Sequence, residues 1–117
     1  MGFVLDGILK KDIDSDIDVN SEYISPAIDI DNREDDFAVQ VEYGNGNNVD
    51  MSLLLEVSVD GVNFSSILES EQVVTDPSGS HIWDVSGSGV TFLRVKIEVR
   101  SGSITVNKIS YNGKRRH

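Results

Sequence analysis

The chain has no cysteine, two histidines, two prolines and a single tryptophan. Without thiols it has no disulfide scaffold, no thiolate zinc site and no cysteine nucleophile. Of the two histidines, His117 is the last residue and His81 lies in a strand-like stretch. Long apolar runs are missing as well. The longest, Leu53-Leu54-Leu55, falls far short of the roughly 20 residues of a membrane span, and the opening MGFVLDGILKKD lacks a signal-peptide layout. Positive charge is scarce: ten Lys and Arg stand against twenty Asp and Glu, a net charge of −10. Such a surface repels nucleic-acid phosphates and anionic membranes, so neither is expected as a partner.

What is present suits one domain. Hydrophobic residues make up 38% of 117 residues, enough for a single core and too short for two ordinary domains. Residues 1–117 therefore read as one unit without linker or repeat. The charge is unevenly spread. Residues 1–50 carry thirteen acids and three bases (3 − 13 = −10), while residues 51–117 carry seven of each. The chain ends in a small basic tail over 114–117, Lys114-Arg115-Arg116-His117.

Period-2 alternation dominates, with no helical stripe. Phe37, Val39, Val41 and Tyr43 fall on one face, and the Gly44–Asn48 stretch that follows predicts a turn. Leu53, Leu55, Val57 and Val59 form a second apolar face before the tight turn Asp60-Gly61. Leu93, Val95, Ile97 and Val99 alternate with charged residues, and Ser101-Gly102-Ser103 predicts another turn. The apolar phase then switches from Ile104 and Val106 to Ile109 and Tyr111, which predicts a β-bulge near Asn107-Lys108. Weaker strands are expected at 3–9, 23–30, 64–68, 72–75 and 81–85, with Pro26 marking an edge or corner. Short strands separated by Gly, Asn, Asp and Ser turns indicate an all-β fold: a single antiparallel β-sandwich, jelly-roll-like. The expected core includes Leu53, Leu55, Val57, Trp83, Leu93, Val95, Ile97 and Val99.

Candidate chemistry is sparse. Asp12, Asp14, Asp16 and Asp18 fill the first, third, fifth and seventh places of a calcium loop. Ile17 stands where that loop needs Gly, however, and Tyr23 stands where it needs its closing Glu. These aspartates are therefore weak metal candidates. The simpler reading of residues 1–20 is an edge strand or arm with Ile13, Ile17 and Val19 inward and four carboxylates in water, a device that discourages stray sheet pairing. The second acidic cluster, Asp29 to Asp36, reads as a solvated loop. His81 and Asp84 lie three apart in a strand, so their side chains point to opposite faces; Ser86-Gly87-Ser88-Gly89 lacks nucleophile-elbow spacing. No catalytic residue and no cofactor motif emerges. Trp83, Phe64 and Phe92 read as core, and a sugar-binding platform built from Tyr23, Tyr43 or Tyr111 stays open.

The stretch Ser58-Val59-Asp60-Gly61-Val62-Asn63-Phe64 resembles the S-x-D-G-x-N-W hairpin of small β-sandwich structural proteins of tailed bacteriophages and related prophage reading frames, with Phe64 in place of Trp. The resemblance runs from about residue 23 to about residue 113. It includes the Phe37–Tyr43 strand, Trp83-Asp84-Val85, and the strand Phe92 to Gly102. It implies a non-enzymatic virion component, a capsid decoration or head or tail accessory, made in the host cytoplasm and bound to capsid or tail subunits or to further copies of itself. The Asp60-Gly61 turn is a folding device in that setting. The residues left for partner binding are Asp12, Asp14, Asp16 and Asp18 on the arm and Lys114, Arg115 and Arg116 on the tail. The alternative is a carbohydrate-binding sandwich that takes a cell-surface glycan.

Overall fold

Two strands of 23 residues organise the computed structural model, which describes residues 8–30, 36–67, 70–86 and 91–114. They are β4 (Asp36–Ser58) and β8 (Phe92–Lys114), antiparallel along their whole lengths, from Asp36 opposite Lys114 to Ser58 opposite Phe92. A straight strand of that length would measure about 75 Å, yet the longest dimension of the molecule is 49 Å. Both strands must bend. They do so together, where the pairing slips between Glu42 and Tyr43, Gly44 and Asn47, Asn47 and Asp50, and Asp50 and Met51. Asn45 and Asn48 take left-handed φ of 54° and 51°, and Gly102 takes 76°.

The bends divide the chain into two four-stranded arrays. In the first, β1 (Ile8–Val19) pairs with the C-terminal half of β8, the N-terminal half of β4 lies next, and β7 (Gly79–Ser86) closes the far side. In the second, β2 (Glu22–Ile24) and β3 (Ile28–Asp29) flank the N-terminal half of β8. There β5 (Ser65–Ser66) and β6 (Gln72–Val74) flank the C-terminal half of β4. Every pairing is antiparallel, and there is no helix among the described residues. The result is an antiparallel β-sandwich of jelly-roll-like type whose long strands cross between layers by bulges.

One core joins the layers. Phe37, Val39, Val41, Tyr43, Ile109 and Tyr111 enter from the first layer, and Met51, Leu53, Leu55, Leu93, Val95 and Ile97 from the second. Side-chain bonds also cross between them. The Trp83 indole N–H donates to the Ser70 carbonyl at 2.7 Å, and the Tyr23 hydroxyl donates to Asp14.

The observed elements correct several sequence expectations. Gly44–Asn48 and Ser101–Ser103 are not hairpin turns but the paired corners of two continuous strands. The expected bulge, by contrast, is observed, at Asn107, since Lys108 faces Glu42 while Val106 faces Tyr43. Pro26 splits the expected 23–30 strand, although Ser25 keeps contact with Val95 through its own N–H and by accepting the Val95 N–H on its hydroxyl. Val57 and Val99, expected in the core, are only half-buried and pack against it from its margin. The strand expected at 3–9 falls mostly outside the described residues, as do Arg115 and Arg116.

Candidate functional site

The aspartate ladder does not form one site. A bulge at Ile13 shifts its register, so that Asp12 faces Ser110 whereas Asp14 faces the buried Ile109. The two carboxylates therefore leave β1 on opposite sides. Asp12 meets Lys108 Nζ at 3.3 Å. Asp14 is half-buried and accepts the Tyr23 hydroxyl and the Ser15 N–H. Asp16 is exposed at φ 54°, and Asp18 accepts the Thr105 hydroxyl at 2.9 Å. Four carboxylates in water is thus corrected to three exposed and one drawn into the layer junction. Burial, then the hydrogen bond to Asp14 and its charge, push the Tyr23 hydroxyl well above the ordinary tyrosine range. Among the described residues no group of three or more His, Asp and Glu converges as metal ligands would.

The Asp60 turn is self-contained. Asp60 Oδ1 accepts the backbone N–H of Val62 and Asn63 at 2.8 and 2.9 Å, and Oδ2 accepts the Asn63 side-chain amide at 2.9 Å. The Ser58 hydroxyl donates to Oδ1 while accepting the N–H of Asp60 and Gly61. Gly61 takes φ 78° with the Phe92 ring only 3.0 Å from where a Cβ would stand. These bonds, led by the Asn63 and Val62 N–H groups, hold the Asp60 carboxyl well below the usual carboxylate range. A lowered folded-state pKa contributes stability above the unfolded value, about 3.9, and loses it as pH falls toward the folded one. Asp60→Ala is therefore expected to melt below the parent at pH 7, by a gap that narrows once the pH drops under about 4. Urea titrations across that range measure it; a constant gap would mean that the loop does not use the charge.

The outer face of the second layer is likewise satisfied within the chain. Arg94 Nε donates to Glu56 at 2.7 Å, and its guanidinium lies 4.0 Å over the Phe64 ring. Arg100 bonds both Ser52 and Asp50 at 2.7 Å, and the Ser52 hydroxyl donates to Glu71. Ser52 and Glu56, which alternation alone assigns to solvent, are buried. Tyr43 and Tyr111 are core residues and Tyr23 is half-buried against Asp14, so the tyrosine sugar platform is not present. His81 packs edge-on against Trp83, 4.8 Å between centroids, and burial lowers its pKa; Asp84 is exposed on the opposite face of β7. An open groove of about 540 Å³ crosses the outer face of the first layer. Its centre is a row directly across four strands: Asp12, Ser110, Gln40 and Ile82. The groove offers hydroxyl and amide groups and the Asp12–Lys108 ion pair.

No family model matches the chain, and no curated protein matches it in sequence. Solved structures do match in shape. The VP2 subviral particle of infectious bursal disease virus superposes with a TM-score of 0.60 at 8% identity, over 92% of this chain and 32% of that one. The enzymatically active domain of tailspike protein 4 of bacteriophage CBA120 gives 0.60 at 8% identity, over 89% and 18%. YomS, derived from the SPBc2 prophage, gives 0.54 at 9% identity and is covered nearly end to end, 91% of each chain. The likeness is one of fold. This chain spans about a third of the VP2 chain and under a fifth of the tailspike domain.

Proposed function

We propose that the chain is a non-enzymatic structural protein of a tailed-bacteriophage virion, a capsid decoration or head or tail accessory, made in the host cytoplasm and held by contacts to other virion subunits. The observation that carries this reading is the end-to-end match to the prophage-derived YomS. In support, the side chains with pronounced chemistry are engaged in folding: Asp60 in its turn, Arg94 and Arg100 in the second-layer ladder, His81 against Trp83. Attachment then rests on surface. The acidic arm retains Asp12, Asp16 and Asp18 at the surface of β1, and Lys114, Arg115 and Arg116 supply the opposite charge.

The test is occupancy on virions of the encoding phage. Particles lacking the protein are titrated with the parent chain, with Asp12, Asp14, Asp16 and Asp18 changed to Asn, or with residues 114–117 removed, over a salt series. Exposed pairs are worth only about 0–1 kcal/mol each, but many copies on one shell add avidity, and screening shortens their reach. Occupancy is expected to fall about tenfold in at least one variant and to weaken with salt. Unchanged binding in both variants at all salt concentrations would remove the electrostatic model. A chain absent from purified virions would remove the virion reading itself. The carbohydrate reading keeps one observation in its favour, the polar groove around Gln40 and Ser110; saturable glycan binding lost in Gln40→Ala would favour it.

A further inference from the structure

The four outer edges of the sandwich are protected very unequally. β1 carries a bulge at Ile13, a left-handed residue at Asp16 and four aspartates. The β2–β3 edge is broken at Ser25-Pro26-Ala27, and the β5–β6 edge consists of pieces of two and three residues. These are the usual devices by which sheets avoid pairing with other chains. β7 has almost none of them. It runs eight residues in unbroken register with β4, from Ser86 opposite Asp36 to Gly79 opposite Tyr43, without bulge or proline. Asp84 is its one carboxylate, and Ile82 stands on its outer face 56% exposed. Among the described residues β7 pairs with β4 alone, leaving its other row of backbone groups open.

We propose that β7 is the self-association edge of this protein, pairing antiparallel with β7 of a second copy about a twofold axis at Ile82. The argument for that occupant is self-complementarity, which a twofold interface requires. Centred on Ile82, the pairing sets Ile82 against its counterpart and each Asp84 against the partner's Ser80, so no carboxylate faces another. Centring on Asp84 instead would oppose like charges, which is unfavourable. The overall charge favours the same edge. β1 is at the far side of its layer, so the joined sheet runs β1-β8-β4-β7-β7-β4-β8-β1. At about 4.8 Å per strand the two aspartate-rich strands then stand about 34 Å apart, well beyond the screening length of about 8–10 Å. Backbone pairing supplies the attraction in the manner of strand addition. The inference does not depend on where the protein resides.

Sedimentation of the full chain between about 1 µM and 1 mM tests it, because a short edge buries less than a standard interface of about 1,600 Å² and gives a weak dimer. The parent chain is expected to pass from monomer to dimer in that range. Ile82→Lys and Ile82→Glu, at an exposed position, are each expected to keep the parent's circular dichroism and melting point while remaining monomeric, since each sets like charges opposite. An equimolar mixture of the two is expected to recover the dimer. A parent that stays monomeric throughout, a dimer that persists in both variants, or a mixture that fails to associate would overturn the proposal.

Discussion

Gly102→Ala should lower the melting temperature by about 15 °C or leave the chain unable to fold. At φ 76° a side chain is strained by about 1–2 kcal/mol, and here the space is also occupied. A Cβ on Gly102 would stand 2.3 Å from the Asn47 carbonyl oxygen and 2.4 Å from that of Asn48. Both obstacles are backbone, and both belong to the stretch where β4 bends. The substitution therefore forces one bent strand away from the other at the point where both cross between layers. Losses of about 4 kcal/mol or more come from a few such mechanisms, of which strain at a special backbone position is one. With an unfolding entropy near 2.1 cal/mol/K per residue, 117 residues give about 0.25 kcal/mol/K, which converts 4 kcal/mol to about 16 °C. Gly44→Ala is the control in the same corner. Its Cβ would meet only the Asn107 side-chain amide, at 3.2 Å, and that group can move. A thermal scan showing Gly102→Ala within about 3 °C of Gly44→Ala would mean that the corner yields to accommodate a side chain.

The same corner shows where reading the sequence succeeds and where it stops. Alternation over 37–43, 53–57 and 93–97 identifies strands because one face of each is buried, and a period of two then separates core from solvent. The Asn107 bulge was legible for the same reason, as a change of phase. Gly44–Asn48 and Ser101–Ser103 have the composition of hairpin turns, yet neither closes a hairpin, because each bend lies beside the other and pairing continues across both. That information belongs to the partner strand, and no local window contains it. Ser52 and Glu56, which alternation places on the solvent side, are buried on similar grounds: Glu71 and Arg100 engage Ser52, and Arg94 engages Glu56, all distant in sequence. On β1, four aspartates at even spacing suggest one face. A single extra residue at Ile13 separates Asp12 from Asp14 and turns a candidate cluster into an edge salt bridge and a layer-junction bond. The open edge of β7 had no sequence signal either, since an edge is defined by the absence of a neighbour.

Trp83 carries the second large effect. Its ring is 7% exposed in a core shared by both layers, and its indole N–H reaches the Ser70 carbonyl between β5 and β6. The residue thus fills space from the first layer while tying down the second. Trp83→Ala removes the ring and strands the carbonyl, with an expected cost of about 3–5 kcal/mol for truncation. At about 0.25 kcal/mol/K that is a fall of roughly 12–20 °C. Trp83→Phe keeps most of the apolar volume and loses the donor, so it should cost about 1–3 kcal/mol, the penalty of leaving a buried acceptor unpaired, and melt between the other two. The ordering separates two accounts of the layer joint. If packing alone holds it, Phe will match the parent and only Ala will fall. If the cross-layer hydrogen bond also holds it, Phe must fall too, and amide exchange should quicken at Ile67 and Ser70, whose N–H groups donate to the Leu55 and Ile67 carbonyls beside that bond. Since Trp83 is the single tryptophan, its fluorescence in the parent chain reports the joint directly. Its emission should shift in the same temperature interval in which the far-ultraviolet β-sheet signal is lost. An earlier shift would show the layers separating before the strands do, and would contradict a single core closed by Trp83.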